Sequence, residues 1–311
     1  MNTAVFIQEM LVLYSIALLG FIMRRIGVMN EHATTVITQL LLNITLPALI
    51  LYTLDASFSM DIVIDFLWLV SMSVYVLTIS IFLAMWLSRH KDLLIPQKSV
   101  FEGLIIFGNQ GFIGYAISYI VLGEQGVFYL TLYNVYYLIL IWTYGIFLFS
   151  KNKGFINWKN IIFNPGIIST LIGLGILLLP ISWSITISSA LELVGKMTIP
   201  LSMMMIGMLI ANIELKEVTA QLKNIQLWKI VLLRLLIIPA LLLPFSLVDV
   251  PSSLLLIAVL VSGMPSAPTI FLYAKQYGGD LHFATLGVLL TTLLCTLTIP
   301  LLYTTVYIIG K

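Results

Sequence analysis

The chain has 311 residues, of which 60% are hydrophobic and only 9% are charged. Water-soluble domains are about 45–50% apolar and about 25% charged, so this composition excludes a soluble globular fold and indicates a polytopic membrane protein. A net charge of +2, spread thinly along the chain, excludes the concentrated basic surface that nucleic acid binding requires. Cys295 is the single cysteine, and His32, His90 and His282 lack metal-ligand spacing, so we expect neither a metal nor a cofactor.

Ten stretches are long and apolar enough to cross a bilayer as helices, since each crossing requires roughly 20 residues. A closed β-barrel is not indicated, because its strands would alternate apolar and polar residues. The sequence therefore predicts an all-α membrane protein with ten transmembrane helices. Their approximate limits are 4–23, 35–54, 62–87, 99–121, 127–149, 161–179, 184–211, 226–247, 252–275 and 281–309.

Basic residues between the spans predict how the chain is oriented. Twelve of them fall on one face of the membrane and one, Lys311, falls on the other. The positive-inside rule then places both termini on the extracytoplasmic side of the cell membrane. The twelve are Arg24, Arg25, Arg89, Lys91, Lys98, Lys151, Lys153, Lys159, Lys216, Lys223, Lys229 and Lys275.

The ten spans divide into two halves of five, residues 1–150 and 161–311, joined by a polar cytoplasmic linker at 151–160. Because five is an odd number, a second half with the same fold must be inverted relative to the first. Weak symmetry favours this arrangement. Pro47 and Pro200 occupy similar places in spans two and seven, and the same shift of 153 residues relates Gly126 to Gly279. The sequence thus predicts two inverted five-helix repeats.

Spans four and nine are the least helix-like of the ten. Span four contains Gly108, Asn109, Gln110 and Gly111 in succession, and span nine contains Ser262, Gly263, Met264, Pro265, Ser266, Ala267 and Pro268. Glycine and proline weaken the helical hydrogen-bond ladder. For either segment alone, close helix packing through small residues is an equal alternative. Interrupted spans at matching places in two halves instead indicate a substrate site at the midplane of a secondary transporter.

A broken helix offers ligand groups without a buried formal charge. A new N-terminus at mid-membrane presents N–H groups to an anion, and a new C-terminus presents carbonyls to a cation. Pro265 or Pro268 suits the first turn of the restarting helix, and Ser262 or Ser266 is expected to cap it. Further donors and acceptors come from Asn109 and Gln110. The predicted helix-break residues are Gly108, Gly111, Gly263, Pro265 and Pro268.

Each charged residue inside a predicted span is expected to have an ion-pair partner or a functional role, because inserting a charge into the bilayer costs about 2.5–3.5 kcal/mol. Glu192 and Lys196 lie four apart in span seven and predict an ion pair, which is either purely structural or opened by substrate or protons. Arg234 in span eight has no partner nearby in sequence. It either snorkels to the cytoplasmic interface or pairs with a carboxylate or a substrate anion. Asp65, at the outer end of span three, is expected to be a solvated cap.

Several segments resemble the auxin efflux carrier family, which includes the plant PIN-formed auxin exporters and bacterial permeases proposed for malate and malonate. The matching segments are 43–50 in span two, 108–114 in span four, Tyr133-Asn134 and 142–145 in span five, 263–265 in span nine and 275–280 after it. Their order and spacing cover most of the chain, although no single segment is diagnostic.

The resemblance implies that the breaks in helices four and nine cross, and that a transporter domain (62–149 and 226–309) moves like an elevator against a scaffold (4–54 and 161–211). It also implies that Asn109 binds the substrate, and it adds Asn134 to the candidate site. In the plant exporters each break carries a proline followed by an asparagine, whereas this chain has Gly108-Asn109 and Pro265-Ser266. Ser266 therefore argues against auxin itself. A homodimer through the scaffold is compatible with the resemblance.

The sequence thus predicts a secondary transporter that moves a small organic anion, a mono- or dicarboxylate such as malate or malonate, by alternating access. Alternatives are export of an auxin-like carboxylate, and a channel or ligand sensor on the same fold. An intramembrane hydrolase is not indicated, because neither His-Glu-x-x-His nor Gly-x-Ser-x-Gly occurs. The expected partners are the substrate anion and the lipid bilayer. Protons or the membrane potential are the favoured driving force, because no cluster of acidic and hydroxyl residues marks a sodium site at the breaks.

Overall fold

A computed structural model describes residues 3–55, 59–89, 93–150, 163–179, 182–211 and 224–309, and within these ranges the regular elements are helical. The first half contains α1 (Thr3–Arg25), α2 (Glu31–Leu40), α3 (Leu46–Thr53), α4 (Met60–Ser88), α5 (Ile95–Ile106), α6 (Tyr115–Trp142) and α7 (Tyr144–Ser150). The second half contains α8 (Pro165–Leu178), α9 (Ile185–Lys196), α10 (Thr198–Ala211), α11 (Ile225–Leu232), α12 (Ile238–Ala240), α13 (Ser252–Ser262), α14 (Thr269–Tyr277) and α15 (Leu281–Ile309). The predicted linker at 151–160 lies outside the described residues.

Six helical segments of the described chain are long and apolar enough to cross a membrane. They are Glu31–Thr53, Met60–Ser88, Gln110–Ser150, Ile185–Ala211, Ile225–Leu247 and Leu281–Ile309. The third has 41 residues, which exceeds the roughly 20 of one crossing. Its backbone leaves helical geometry at Gly123, where φ is +62° and ψ is −141°, a combination that favours glycine. The chain is therefore an all-helical polytopic membrane protein, and the count of ten crossings stays a prediction.

Two prolines follow widened helical turns. The π-helical turns Leu41–Thr45 and Leu233–Ile237 end two residues before Pro47 and Pro239, respectively. A proline supplies no amide donor, and its ring excludes the carbonyl four residues earlier. That carbonyl falls inside the preceding turn in both cases, so the hydrogen-bond ladder opens there into a wider turn.

The matched prolines of the two halves both lie at the start of a helix. Pro47 is the second residue of α3, and Pro200 is the third residue of α10, which follows a turn at Met197. Gly123 and Gly278, which follow the predicted spans four and nine, both have positive φ angles. Similar places in the two halves thus carry an interruption, although the local backbone geometry differs between them.

The chain divides into two compact units, each built from several sequence segments. The first unit comprises Met1–Phe66, Gly111–Thr131 and Trp158–Glu214, and the second comprises Leu67–Gln110, Leu132–Asn157 and Leu215–Lys311. The first unit contains the described helices assigned by resemblance to the scaffold, together with parts of predicted spans three to five. The scaffold and transporter boundaries themselves stay predictions.

Close backbone contact between α1 and α10 organises the first unit. A Cβ atom added at Gly207 would clash with the Ala17 carbonyl, and one added at Gly20 would clash with the Met204 carbonyl. Small residues bring membrane helices together in this way, because no side chain separates the two backbones.

We predict that Gly207→Ala lowers the thermal unfolding temperature of the purified protein, because the added methyl group must push α1 and α10 apart. Overpacking of this kind costs about 1–3 kcal/mol. Gly175→Ala in α8 is the matched control, since a Cβ atom there meets nothing within 4 Å. An unchanged unfolding temperature for the Gly207→Ala protein would contradict the close contact.

Candidate functional site

Two helix breaks lie in the second unit. The helix α5 ends at Ile106 and helical structure resumes at Gln110, so residues 107–109 form the first break. The helix α13 ends at Ser262 and α14 begins at Thr269, so residues 263–268 form the second break. Of the five residues assigned to the breaks from sequence, Gly108, Gly263, Pro265 and Pro268 lie within them, whereas Gly111 lies in the π-helical turn Gln110–Gly114.

The two breaks pair with each other as extended segments. Gly108 and Ser266 form an antiparallel backbone bridge. The Asn109 N–H donates to the Pro265 carbonyl at 2.6 Å, and the Ala267 N–H donates to the Phe107 carbonyl at 2.9 Å. Each interruption therefore satisfies backbone groups that the other releases, as an apolar environment requires. We refer to residues 107–110 and 262–268 together as the crossover.

The prediction that Ser262 or Ser266 caps the restarting helix is wrong. No side chain caps α14. The Ser262 hydroxyl donates to the Ala258 carbonyl at 2.7 Å, and the Ser266 hydroxyl donates to the Leu104 carbonyl at 2.7 Å. The Ser266 N–H donates to Thr291 Oγ1 at 3.1 Å. Both hydroxyls are taken by carbonyls of preceding helices, so Ser266 ties the crossover to α5 and α15 instead.

Arg234 holds the helix ends that meet at the crossover. Its Nε donates to the Met264 carbonyl at 2.8 Å, and its Nη1 donates to the carbonyls of Ile105 at 3.2 Å and Ile106 at 3.1 Å. These carbonyls lie in the last turn of α5 and just after α13, so the guanidinium neutralises the negative ends of both helices. The side chain is only 1% exposed. The interpretation that Arg234 snorkels to the interface is therefore wrong.

The third nitrogen of this guanidinium, Nη2, takes no part in these hydrogen bonds. Arg234 Nη2 is buried and has no hydrogen-bond partner among the described residues. A Cβ atom added at Gly108 would clash with it, so position 108 accepts only glycine without displacement of the guanidinium. The ion pairs within the described residues all involve Lys196. Arg234 therefore carries a positive charge that no carboxylate of the described residues pairs with.

One face of α6 completes the crossover. Tyr137 Oη donates to the Gly108 carbonyl at 2.7 Å, and Tyr133 Oη forms a hydrogen bond with Ser262 Oγ at 2.7 Å. Asn134, three residues before Tyr137, lies on the same side of the helix and is 3% exposed. The family resemblance predicts Asn134 as a site residue, whereas the two tyrosine contacts are not predicted from the sequence.

Three side chains of this region carry buried polar atoms that have no partner among the described residues: Arg234 Nη2, Gln110 Oε1 and Asn134 Oδ1. Leaving such a group unsatisfied costs about 1–3 kcal/mol. A half turn of a side-chain amide exchanges its oxygen for its NH₂ group, so both amides can also act as donors. Asn109 is buried in the first break as well. The crossover therefore offers one cationic donor and several amide groups to a small anion.

The other charged candidates belong to the first unit and not to the crossover. Lys196 Nζ lies 2.6 Å from Glu192 Oε1, as the four-residue spacing predicts, and 3.1 Å from Glu124 Oε1. Glu124 Oε2 in turn accepts a hydrogen bond from Tyr52 Oη at 3.1 Å. Asp65 accepts a hydrogen bond from the Tyr129 side chain. The predicted pair is thus part of a larger, half-exposed cluster, whose separate ion pairs are weak.

A cavity of about 380 Å³ adjoins this cluster in the first unit. Its wall includes Tyr52, Asp55, Glu124, Phe128 and Tyr129. Two carboxylates give the cavity a negative potential that disfavours an anion. The crossover is therefore the better candidate for an anion site, and the cavity is a place where the two carboxylates reach solvent.

Comparison with known proteins places the chain among transporters. A family model described as membrane transport protein matches residues 5–303. An uncharacterized transporter of Methanocaldococcus jannaschii is 25% identical over 306 residues, which cover 94% of this chain and 96% of that protein. The residues that the family model matches include the two breaks and Arg234.

We predict that Gly108→Ala lowers the thermal unfolding temperature strongly, because the methyl group displaces the Arg234 guanidinium from its carbonyl partners. Hydrogen bonds of charged groups contribute about 1.5–3 kcal/mol each, so a loss of about 2 kcal/mol or more is expected. Gly111→Ala is the matched control, since a Cβ atom there meets nothing within 4 Å. Equal effects of the two substitutions would exclude the proposed contact between Gly108 and Arg234.

We predict a much smaller effect for Glu124→Gln, which removes one ion pair of the half-exposed cluster. Pairs of this type contribute about 0–1 kcal/mol, and salt screens them. The difference in unfolding temperature between wild type and variant is therefore small and shrinks further at high ionic strength. A large difference that persists at high salt would show that the cluster has a stronger role than a surface ion pair.

Proposed function

The chain belongs to the membrane transport protein family, which is the auxin efflux carrier family, and on that premise we propose that it is a secondary transporter of a small organic anion. Membership of that family makes the protein a membrane transporter and not an enzyme. The proposed cargo is a mono- or dicarboxylate such as malate or malonate, and the proposed mechanism is alternating access.

The observation that carries the proposal is Arg234 Nη2, a buried donor without a partner among the described residues, beside two buried amides, Gln110 and Asn134, whose NH₂ groups can turn toward an anion. The backbone amides of Asn109 and Ala267 already donate to the opposite break, so they are not available to bind an anion. Side chains take this role instead. A carboxylate that lodges at the crossover receives hydrogen bonds from the amides of Gln110 and Asn134 and, as the family resemblance implies, from Asn109; in surroundings of low dielectric such bonds are strong.

The proposed architecture is ten crossings in two inverted five-helix repeats, with both termini extracytoplasmic. The interruptions at Pro47 and Pro200, and the positive φ angles of Gly123 and Gly278, support the repeat. The distribution of basic residues supports the orientation. Access alternates when the transporter helices, 62–149 and 226–309, move relative to the scaffold helices and carry the crossover with them.

A homodimer through the scaffold is a further part of the proposal. Three methionines of α10 are buried within the first unit and therefore cannot form a contact between two copies: Met203, Met205 and Met208. The exposed apolar side chains Ile185 and Leu193 on α9 are better placed to face a second copy or lipid. Protons or the membrane potential remain the proposed driving force.

We predict saturable uptake of at least one mono- or dicarboxylate by proteoliposomes that contain the purified protein. Asn109→Ala should lower kcat/KM by about tenfold or more, because a hydrogen bond to a charged group is lost. Asn43→Ala is the matched control, since the exposed Asn43 amide donates only to the Gln39 carbonyl of its own helix. Absence of uptake across a broad carboxylate panel, or flux that does not saturate, would contradict the proposal.

A further inference from the structure

Arg234 is the largest fully buried side chain of the described residues, and no carboxylate among them forms an ion pair with it. We propose that Arg234 sets the charge selectivity of the crossover: it is the positive group that makes the site accept carboxylates and reject uncharged molecules of the same shape. This inference rests on the proposed function, and it adds the residue on which the discrimination depends.

The hydrogen bonds of the guanidinium fix its position but do not use all of its N–H donors. Nε and Nη1 are held by three carbonyls from two separate segments, at 2.8 Å to Met264, 3.2 Å to Ile105 and 3.1 Å to Ile106. Nη2 carries two more N–H groups, is buried, and has no partner in the described residues. Because Gly108 has no side chain, the guanidinium lies directly against the first break. Two oriented N–H donors of a cationic group are what a carboxylate binds best.

The helix ends at the crossover would not select an anion without this residue. The carbonyl ends of α5 and α13 each carry about half a negative charge, and together they favour a cation. The guanidinium offsets these negative ends in surroundings of low dielectric, where charges act strongly, and the N–H groups of its Nη2, which have no partner among the described residues, remain to bind an anion. The sign of the preferred cargo therefore depends on Arg234.

A second buried charged residue lies in α5, the helix that ends at the first break, but it does not pair with Arg234 in place of a substrate. Glu102 in α5 is 8% exposed, and its Oε1 accepts a hydrogen bond from Ser88 Oγ. No ion pair within the described residues joins Glu102 to Arg234. Glu102 is thus not the partner of the guanidinium among the described residues.

Lysine cannot reproduce this arrangement. A planar guanidinium has five donors in a fixed fork, whereas an ammonium group is a compact point charge on a flexible stem. Arg234→Lys therefore keeps the charge while it loses the simultaneous contacts to three carbonyls. Arg234→Gln loses both. The pair of variants separates the electrostatic role from the structural one.

The experiment measures binding of acetate, malonate and succinate, and of their uncharged amides, to the full-length protein in lipid nanodiscs by calorimetry. The wild type is expected to prefer the best-bound carboxylate over its amide by at least about tenfold. Arg234→Gln is expected to abolish this preference. Arg234→Lys is expected to retain a preference but to unfold at a lower temperature. Lys229→Gln, which removes a positive charge from the preceding helix α11, is the matched control and should keep the wild-type preference.

Each outcome is decisive for the inference. If Arg234→Gln retains the wild-type preference, Arg234 has only a structural role and the inference is wrong. If Arg234→Gln does not fold, the wild type and Arg234→Lys provide the test. The inference is wrong if the wild type binds carboxylate and amide equally well. It is also wrong if Arg234→Lys loses the preference completely. If no carboxylate binds or is transported at all, the proposed function itself fails, which is a distinguishable result.

Discussion

A helix that stops within a membrane leaves backbone N–H and C=O groups that hydrocarbon cannot satisfy, at a cost of several kcal/mol for each group. This protein has two such interruptions in one unit, and each supplies partners for the other through the bridge between Gly108 and Ser266. The last-turn carbonyls that the bridge does not reach are taken by Arg234. The glycine at position 108 follows from the same constraint, because the guanidinium occupies the space of a side chain.

The hydrogen bonds between the two breaks determine which polar groups remain for a ligand. Backbone amides at a helix start are a common anion site, yet here the nearest ones are used to hold the breaks together. The groups left over are side-chain atoms, on Gln110, Asn134 and Arg234. In the proposed site the backbone bridge holds the two breaks together, the amides of Gln110 and Asn134 are left for the cargo, and Arg234 serves both purposes. Substitution of the two amides can therefore alter specificity without dismantling the breaks.

Much of the fold follows from local sequence signals. Long apolar runs predict the helices, glycine and proline clusters mark where α5 and α13 stop, and the four-residue spacing of Glu192 and Lys196 predicts their contact. The family match confirms the resemblance inferred from ordered short motifs. The partners of Arg234, by contrast, lie up to 129 residues away, and Glu124 reaches Lys196 from the short connection between predicted spans four and five. Such contacts have no periodic signature. The expected serine caps are wrong because other carbonyls compete for the hydroxyl groups: Ser262 donates to Ala258 of its own helix, and Ser266 donates to the distant Leu104.

The most direct test of this account is an experimental structure of the protein with a bound carboxylate that it transports. The account predicts that the carboxylate group lies within hydrogen-bond distance of Arg234 Nη2 and of at least one amide among Asn109, Gln110 and Asn134, while the bridge between Gly108 and Ser266 stays intact. A ligand bound in the acidic cavity of the first unit, or a crossover whose two breaks are regular helix in the bound protein, would contradict it.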